Sequence, residues 1–336
     1  MKTLITGNLG YIGSVLGDYL MTNGYDVIGL DSGFFQECHI EKIVDIETNI
    51  KDIRDINESD LAGVEKIIHL AALSNDPLGE FDRALTFEIN YTAAVNLAKL
   101  AKSLSVKRFI FASTQSIYGY SNSEEELQED NSLKNPQTAY AESKWLAEQE
   151  ILALADPAFQ VLALRPSTVF GWSPRLRTDI VFNNLLTMGF FTKKINVHSD
   201  GLPWRPIIHV LDVCRAIKLA LESDLTAQSL NLGVIGGNYR VKELAMAASK
   251  SLNNIPVMFN TENINDSRSY KVDFYKARQL LQFQASISLE EGAKEMIDKL
   301  YKIENNSEIF LKKTNRLMTL KYLLDSGVLS KDLRYS

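Results

Sequence analysis

Residues 6–14 read TGNLGYIGS, directly after a short apolar run and directly before an amphipathic stretch. Three glycines, Gly7, Gly10 and Gly13, fall in this turn. Glycine is needed where a backbone turns tightly or must come close to a phosphate, because no Cβ stands in the way. A helix that starts there offers free N–H groups and a partial positive charge to an anion such as a pyrophosphate. Tyr11 and Ile12, between the glycines, belong to the same candidate cofactor loop. A glycine pattern alone is a weak signal. Here the strand before it, the helix after it and its place at the start of the chain agree.

Working outward, short apolar runs recur at residues 26–30, 66–71, 109–113 and 161–164, with amphipathic stretches at 81–104 and 138–154 between them. Strands alternating with helices predict a parallel sheet covered on both faces. Right-handed crossovers then make it an α/β, doubly wound, Rossmann-type fold. Asp31 closes the second apolar run, about 20 residues on from the glycines, where an acid binds the adenosine ribose hydroxyls. A carboxylate there repels a 2′-phosphate, so the expected cofactor is NAD and not NADP. Asp52 and Ile53 follow at a place suited to an adenine contact.

Beyond residue 165 the pattern loosens around Pro166, Pro174, Pro203 and Pro206. The expected division is an NAD-binding domain over residues 1–165 and a smaller, partly irregular substrate lobe over 166–304, interleaved with the first. A helical appendage over 305–336 completes it. The chain has 336 residues, a net charge of -6, 45% apolar and 23% charged residues, the profile of an ordinary globular enzyme. No basic stripe is visible, so nucleic acid is not an expected partner. Cys38 and Cys214 are far apart, and the four histidines are scattered, so no metal site is expected. The chain opens on a strand pattern and holds no apolar run of about 18 residues. The expected setting is therefore the cytoplasm, away from membranes.

Tyr140 and Lys144 are four residues apart in a helical pattern and share one helix face. A sugar hydroxyl that gives up hydride must also lose its proton. A tyrosine is a base for that proton only when nearby positive charge favours its phenolate. Lys144 supplies such charge and can also bond a nicotinamide ribose. The apolar run at 109–113 ends in small hydroxyl residues, and Thr114 is placed to hydrogen-bond the reacting oxygen. Active-site residues of open α/β sheets collect at such strand ends.

The ordered set of TGNLGYIGS, Asp31, HLAA at 69–72, the strand-end hydroxyls and the Tyr140-Lys144 pair resembles the extended short-chain dehydrogenase/reductase family. Within it, the set is similar to the NAD-dependent nucleotide-sugar epimerase/dehydratase branch. The likeness runs from residue 1 to about 300 and continues in RPIIHVLD at 205–212 and LNLG at 230–233. The resemblance implies NAD contacts from Leu70, Ala71, Ala72 and Asn90. It implies Thr114 as the catalytic hydroxyl, beside Tyr140 and Lys144. It further implies arginines on a substrate diphosphate: Arg205 by motif, Arg268 less closely, with Arg175 and Arg177 in SPRLRTD as further candidates. Guanidinium forks suit phosphate. A homodimer and a nucleotide-diphosphate sugar are the implied partner and substrate.

One departure bears on the reaction. Dehydratases of that branch carry Asp-Glu directly after the catalytic threonine, and its decarboxylases keep the glutamate. Here the positions are Gln115 and Ser116. Neither is an acid or base at neutral pH. The leading expectation is an epimerase acting at one ring carbon, most often C4. The alternative is a 4-dehydrogenase or 4-ketoreductase on a hexose or heptose, with the same Tyr-Lys chemistry. A non-enzymatic NAD-sensing module is the third reading, and the intact Tyr140 and Lys144 speak against it. Asp31 and Arg205 speak against a steroid- or flavonoid-type reductase.

Overall fold

Val, Ile, Leu and Phe dominate the short runs of the first half, and each run is a buried strand because helices cover both sheet faces. The computed structural model describes residues 2–121, 125–260, 269–303 and 307–336. The strands up to residue 166 are β1 (Lys2–Thr6), β2 (Asp26–Asp31), β3 (Thr48–Ile50), β4 (Val64–His69), β5 (Arg108–Ala112) and β6 (Gln160–Pro166). After them come β7 (Thr168–Phe170), β8 (Ile195–Val197), β9 (Trp204–His209), β10 (Gln228–Leu232), β11 (Asn238–Arg240) and β12 (Val257–Phe259).

Seven strands form one parallel sheet in the order β10-β6-β5-β4-β1-β2-β3. The chain leaves β1 in one direction, towards β3, and in the other from β4 onward. The loops after β1 and β4 therefore diverge and leave a crevice at their carboxyl ends. The doubly wound fold is as expected. Its outermost strand, β10, comes from residues 228–232, so the second half of the chain completes the sheet of the first.

The helices are α1 (Tyr11–Thr22), α2 (Asp76–Gly79), α3 (Arg83–Phe87), α4 (Ala94–Ser103), α5 (Ala139–Ala153) and α6 (Val181–Thr192). They continue with α7 (Val210–Glu222), α8 (Val241–Ser251), α9 (Tyr275–Leu281), α10 (Leu289–Leu300), α11 (Ser307–Thr314) and α12 (Arg316–Asp325). The expected single helix over 81–104 is instead broken: a π-helical turn, Glu88–Ala93, joins α3 to α4. Such turns insert a residue into a helix and re-aim its side chains.

One apolar cluster lies under α1 and α7 and runs on into the second lobe through Phe170, Phe182 and Leu244. The other lies under α4 and α5 around Phe109, Phe111 and Leu97. Leu320, Leu329 and Leu333 join the second cluster, so the C-terminal segment is packed onto the first half of the chain. The second lobe carries two small sheets, β11-β9-β7 and β12-β8. Among the described residues, no helix is long and apolar enough to cross a membrane.

Candidate active site

The carboxyl edge of the sheet opens into a cleft of about 970 Å³. Gly7, Gly10, Tyr11, Ile12, Gly13, Asp31, Asp52, Ile53, Leu70, Ala71 and Ala72 line one end of it, with Thr114, Tyr140 and Lys144 further along. Arg177 and Arg205 also face it.

The glycine loop is shaped for close approach. Gly7 has φ +76° and donates to Leu30 O at 2.7 Å. A Cβ on Gly7 would come within 2.8 Å of Ala71 N, and one on Gly13 within 2.2 Å of Gly7 O. Gly10 precedes α1 with no side chain capping it, which leaves the first amides of that helix for a ligand. The glycine turn and the uncapped helix start are therefore suited to the diphosphate of a dinucleotide such as NAD. Asp31 accepts from Gly33 N at 2.8 Å and from Leu9 N at 3.1 Å. Burial raises its pKa, and these two bonds work against that. Asp52 is clasped by Arg54, whose Nε and Nη2 donate to its two oxygens at 3.0 and 2.7 Å.

The helix that carries Tyr140 and Lys144 is set at its N-terminus by three side chains. Thr138 Oγ1 accepts from Ala141 N at 3.2 Å and donates to Asp76 at 2.5 Å. Glu80 accepts from Ala139 N at 2.6 Å. Tyr140 is half-buried in the cleft, and desolvation pushes its pKa up to about 12; a hydrogen bond with Thr114 and the charge of Arg177 pull it back. Lys144 Nζ donates to Ala112 O at 2.8 Å, and burial pushes its pKa down to about 7. Beneath the same helix, Glu148 and Arg165 form a fully buried ion pair that anchors α5 on β6. Losing either partner would strand a buried charge, at a cost of roughly 3–5 kcal/mol.

Two expected contacts stand behind the cleft wall instead of on it. Asn90 accepts from Leu73 N at 2.8 Å and donates to Leu73 O at 3.2 Å. Both ends of its amide are thereby used to hold the strand-end loop, so it positions the wall and does not line it. Arg175 donates through Nη1 to the carbonyl oxygens of Phe35 and Gln36. Its guanidinium is spent on the loop after β2. Arg177, two residues on, does face the cleft, held by Asp179 at 2.7 and 2.9 Å and by Ser74 Oγ at 2.8 Å. Arg205 sits on β9 and donates to Trp204 O at 2.7 Å. Arg268 lies outside the described residues.

Several lining residues are not singled out by any motif: Asp76, Asn184, His198 and Arg316. Asp76 opens α2 and Asn184 lies in α6, two helices outside the helical stretches expected from the sequence. Asp179 is the last residue of SPRLRTD, where only the two arginines stand out as phosphate ligands.

A family model described as "NAD dependent epimerase/dehydratase family" matches residues 3–233. The chain belongs to this family. Its members are NAD-dependent enzymes, and NAD is the cofactor of this one. The UDP-glucose 4-epimerase of Mycolicibacterium smegmatis is 29% identical over 320 residues, 89% of this chain and 98% of that protein. UDP-glucuronic acid decarboxylase 1 of Xenopus tropicalis is 26% identical over 308 residues, 88% of this chain and 71% of that protein. Among solved structures, MoeE5 in complex with UDP-glucuronic acid and NAD superposes with a TM-score of 0.78 at 27% identity, covering 90% of this chain and 99% of that one.

Proposed function

We propose that this NAD-dependent nucleotide-sugar-modifying enzyme is an epimerase, inverting one sugar ring carbon, most often C4. The observation that carries the reading lies at the end of β5. Thr114, Tyr140 and Lys144 make a complete set for moving a hydroxyl proton, while the next two positions hold no carboxylate. Gln115 Nε2 is spent on Arg165 O at 2.9 Å and Leu232 O at 3.2 Å. Ser116 has no acid function. The nearby carboxylates of Asp76 and Glu80 hold the start of α5. Removal of water or carbon dioxide therefore lacks its own proton-transfer group.

Bound NAD supplies the hydride acceptor and, for inversion, the hydride donor. Tyr140 Oη takes the proton of the sugar hydroxyl and returns it. Thr114 Oγ1 bonds the same oxygen and keeps it oriented. The high pKa that burial gives Tyr140 means that its phenolate needs positive charge close by, which Lys144 and the nicotinamide ring provide. Arg205 holds the substrate diphosphate from the second lobe. The names of the similar proteins, a UDP-glucose 4-epimerase and a UDP-glucuronic acid decarboxylase, support a UDP-sugar or a close analogue as substrate.

The test is to incubate the enzyme with UDP-, dTDP-, CDP- and GDP-hexoses and follow products by NMR together with NADH absorbance. Inverted sugar without net NADH is the expected result. Stoichiometric NADH would make the enzyme a dehydrogenase, and a 4-keto-6-deoxy sugar or released carbon dioxide would refute the argument from Gln115 and Ser116.

A further inference from the structure

The C-terminal segment reaches the cofactor end of the cleft. The family match ends at residue 233, so nothing in it accounts for this segment. Thr178 N donates to Thr314 O at 3.0 Å, which ties the junction of α11 and α12 to the loop carrying Arg177. Arg316, the first residue of α12, faces the cleft and is only 3% exposed. Its Nη2 donates to Arg175 O at 2.9 Å and its Nη1 to Lys313 O at 3.2 Å, and its guanidinium lies 5.1 Å from the centre of the Phe35 ring. Among the described residues, no carboxylate stands within 4.0 Å of it.

Arg316 is therefore a buried cation bonded only to carbonyl oxygens, beside two more buried guanidinium groups, Arg175 and Arg177. Of the three, only Arg177 has an ion-pair partner, Asp179. A charge in such a place is unfavourable unless an anion completes it. The position says which anion. Arg316 bonds Arg175 O, and Arg175 holds the loop that follows Asp31, while Thr314 beside it is bonded to Thr178, next to Arg177. Arg177 in turn acts on Tyr140 and Tyr11. Arg316 thus stands between the acid for the adenosine ribose and the tyrosine beside the nicotinamide. The part of a dinucleotide between its two riboses is the diphosphate. The uncapped start of α1 serves the same anion from the glycine loop.

We propose that Arg316 binds the diphosphate of NAD, so that the C-terminal segment is a strap that retains the cofactor. The proposal rests on the reading that the Asp31 end of the cleft takes the adenosine half of NAD. Further contacts hold the strap over that end. Arg54 Nη2 donates to Asp332 O at 2.9 Å and to Leu333 O at 3.2 Å, Arg334 pairs with Asp55, and the Tyr335 ring stands 5.8 Å from that of Phe34. A retained cofactor suits a reaction that regenerates it in every cycle.

The experiment is calorimetric titration of the full chain, freed of cofactor, as wild type, Arg316→Gln and Arg316→Lys. The ligands are NAD, ADP-ribose, adenosine and UDP. Arg316→Gln should weaken NAD and ADP-ribose alike by roughly ten- to a hundred-fold, the loss of one charge-assisted hydrogen-bonding partner. Adenosine and UDP should bind as before, and Arg316→Lys should fall between. Unchanged NAD affinity in Arg316→Gln would overturn the proposal and leave the cofactor site standing. So would loss of UDP binding alone, which would give Arg316 to the substrate, or equal loss for adenosine, which would make it structural. Failure of the wild type to bind NAD or ADP-ribose would overturn the cofactor reading itself, and the proposal with it. A measurement that needs no variant is hydrogen exchange: ADP-ribose should slow exchange across Arg316–Asp325, and adenosine should not. Equal exchange with both would also overturn the assignment.

Discussion

Lys144 Nζ donates to Ala112 O at 2.8 Å, so the lysine proposed to serve the cofactor is also the bolt between α5 and the end of β5. Its ammonium lies 4.7 Å from the centre of the Phe111 ring, in surroundings that favour the neutral amine.

That burial makes a forecast about stability. The folded pKa is pushed down to about 7 from an ordinary value of 10.5. Between these two values the unfolded chain binds the proton and the folded chain does not, so rising pH favours the fold. The melting temperature of the cofactor-free wild type, relative to Lys144→Met, should therefore climb from pH 7 towards pH 10. A difference that stays flat across calorimetric scans in that window would show that Lys144 keeps its proton.

Tyr140→Phe keeps the ring in its half-buried site and removes the oxygen proposed to move the proton. Turnover should fall by about 10²–10⁴-fold, with the circular dichroism spectrum and NAD affinity unaltered. A folded variant with near-normal turnover would exclude Tyr140 as the acid/base.

Asp31→Asn keeps an acceptor for Gly33 N and removes the charge. The preference for NAD over NADP should shrink by about tenfold or more, because a carboxylate no longer opposes the 2′-phosphate. Calorimetry with both cofactors checks it. A wild type that binds NADP as well as NAD would already refute the role.

Arg205→Ala should raise the substrate KM by about ten- to a hundred-fold, the effect of losing a charge-assisted bond to phosphate. NAD affinity should hardly move, and lysine should restore only part of the loss. Weaker NAD binding with the substrate KM unchanged would mean that the two sites have been exchanged.

What the sequence made legible is what depends on near neighbours. The glycine loop, the strand-end acid Asp31 and the Tyr140-Lys144 face are local patterns, and each lies where its pattern places it. The less legible residues depend on distant contacts. Arg175 and Arg177 are two apart in one motif, yet one holds the loop after β2 while the other faces the cleft, and only the packing of that loop separates them. Arg316 carries no motif, and its place in the cleft follows from Leu320, Leu329 and Leu333 finding the core under α4 and α5. The family resemblance makes Asn90 a cofactor contact. The π-helical turn aims it instead at the backbone of Leu73.

That turn, Glu88–Ala93, makes the count of residues matter more than their identity. Excising a single residue within it would let α3 run on into α4 as one regular helix. The wider turn absorbs one extra residue, so the helices on either side would keep their phase and only the side chains of the turn itself would be re-aimed. The Asn90 amide would leave Leu73, and the loop at the end of β4 would lose its clamp while both flanking helices stayed whole. A frame-preserving deletion of one codon there would be a more damaging lesion than most replacements in the same stretch.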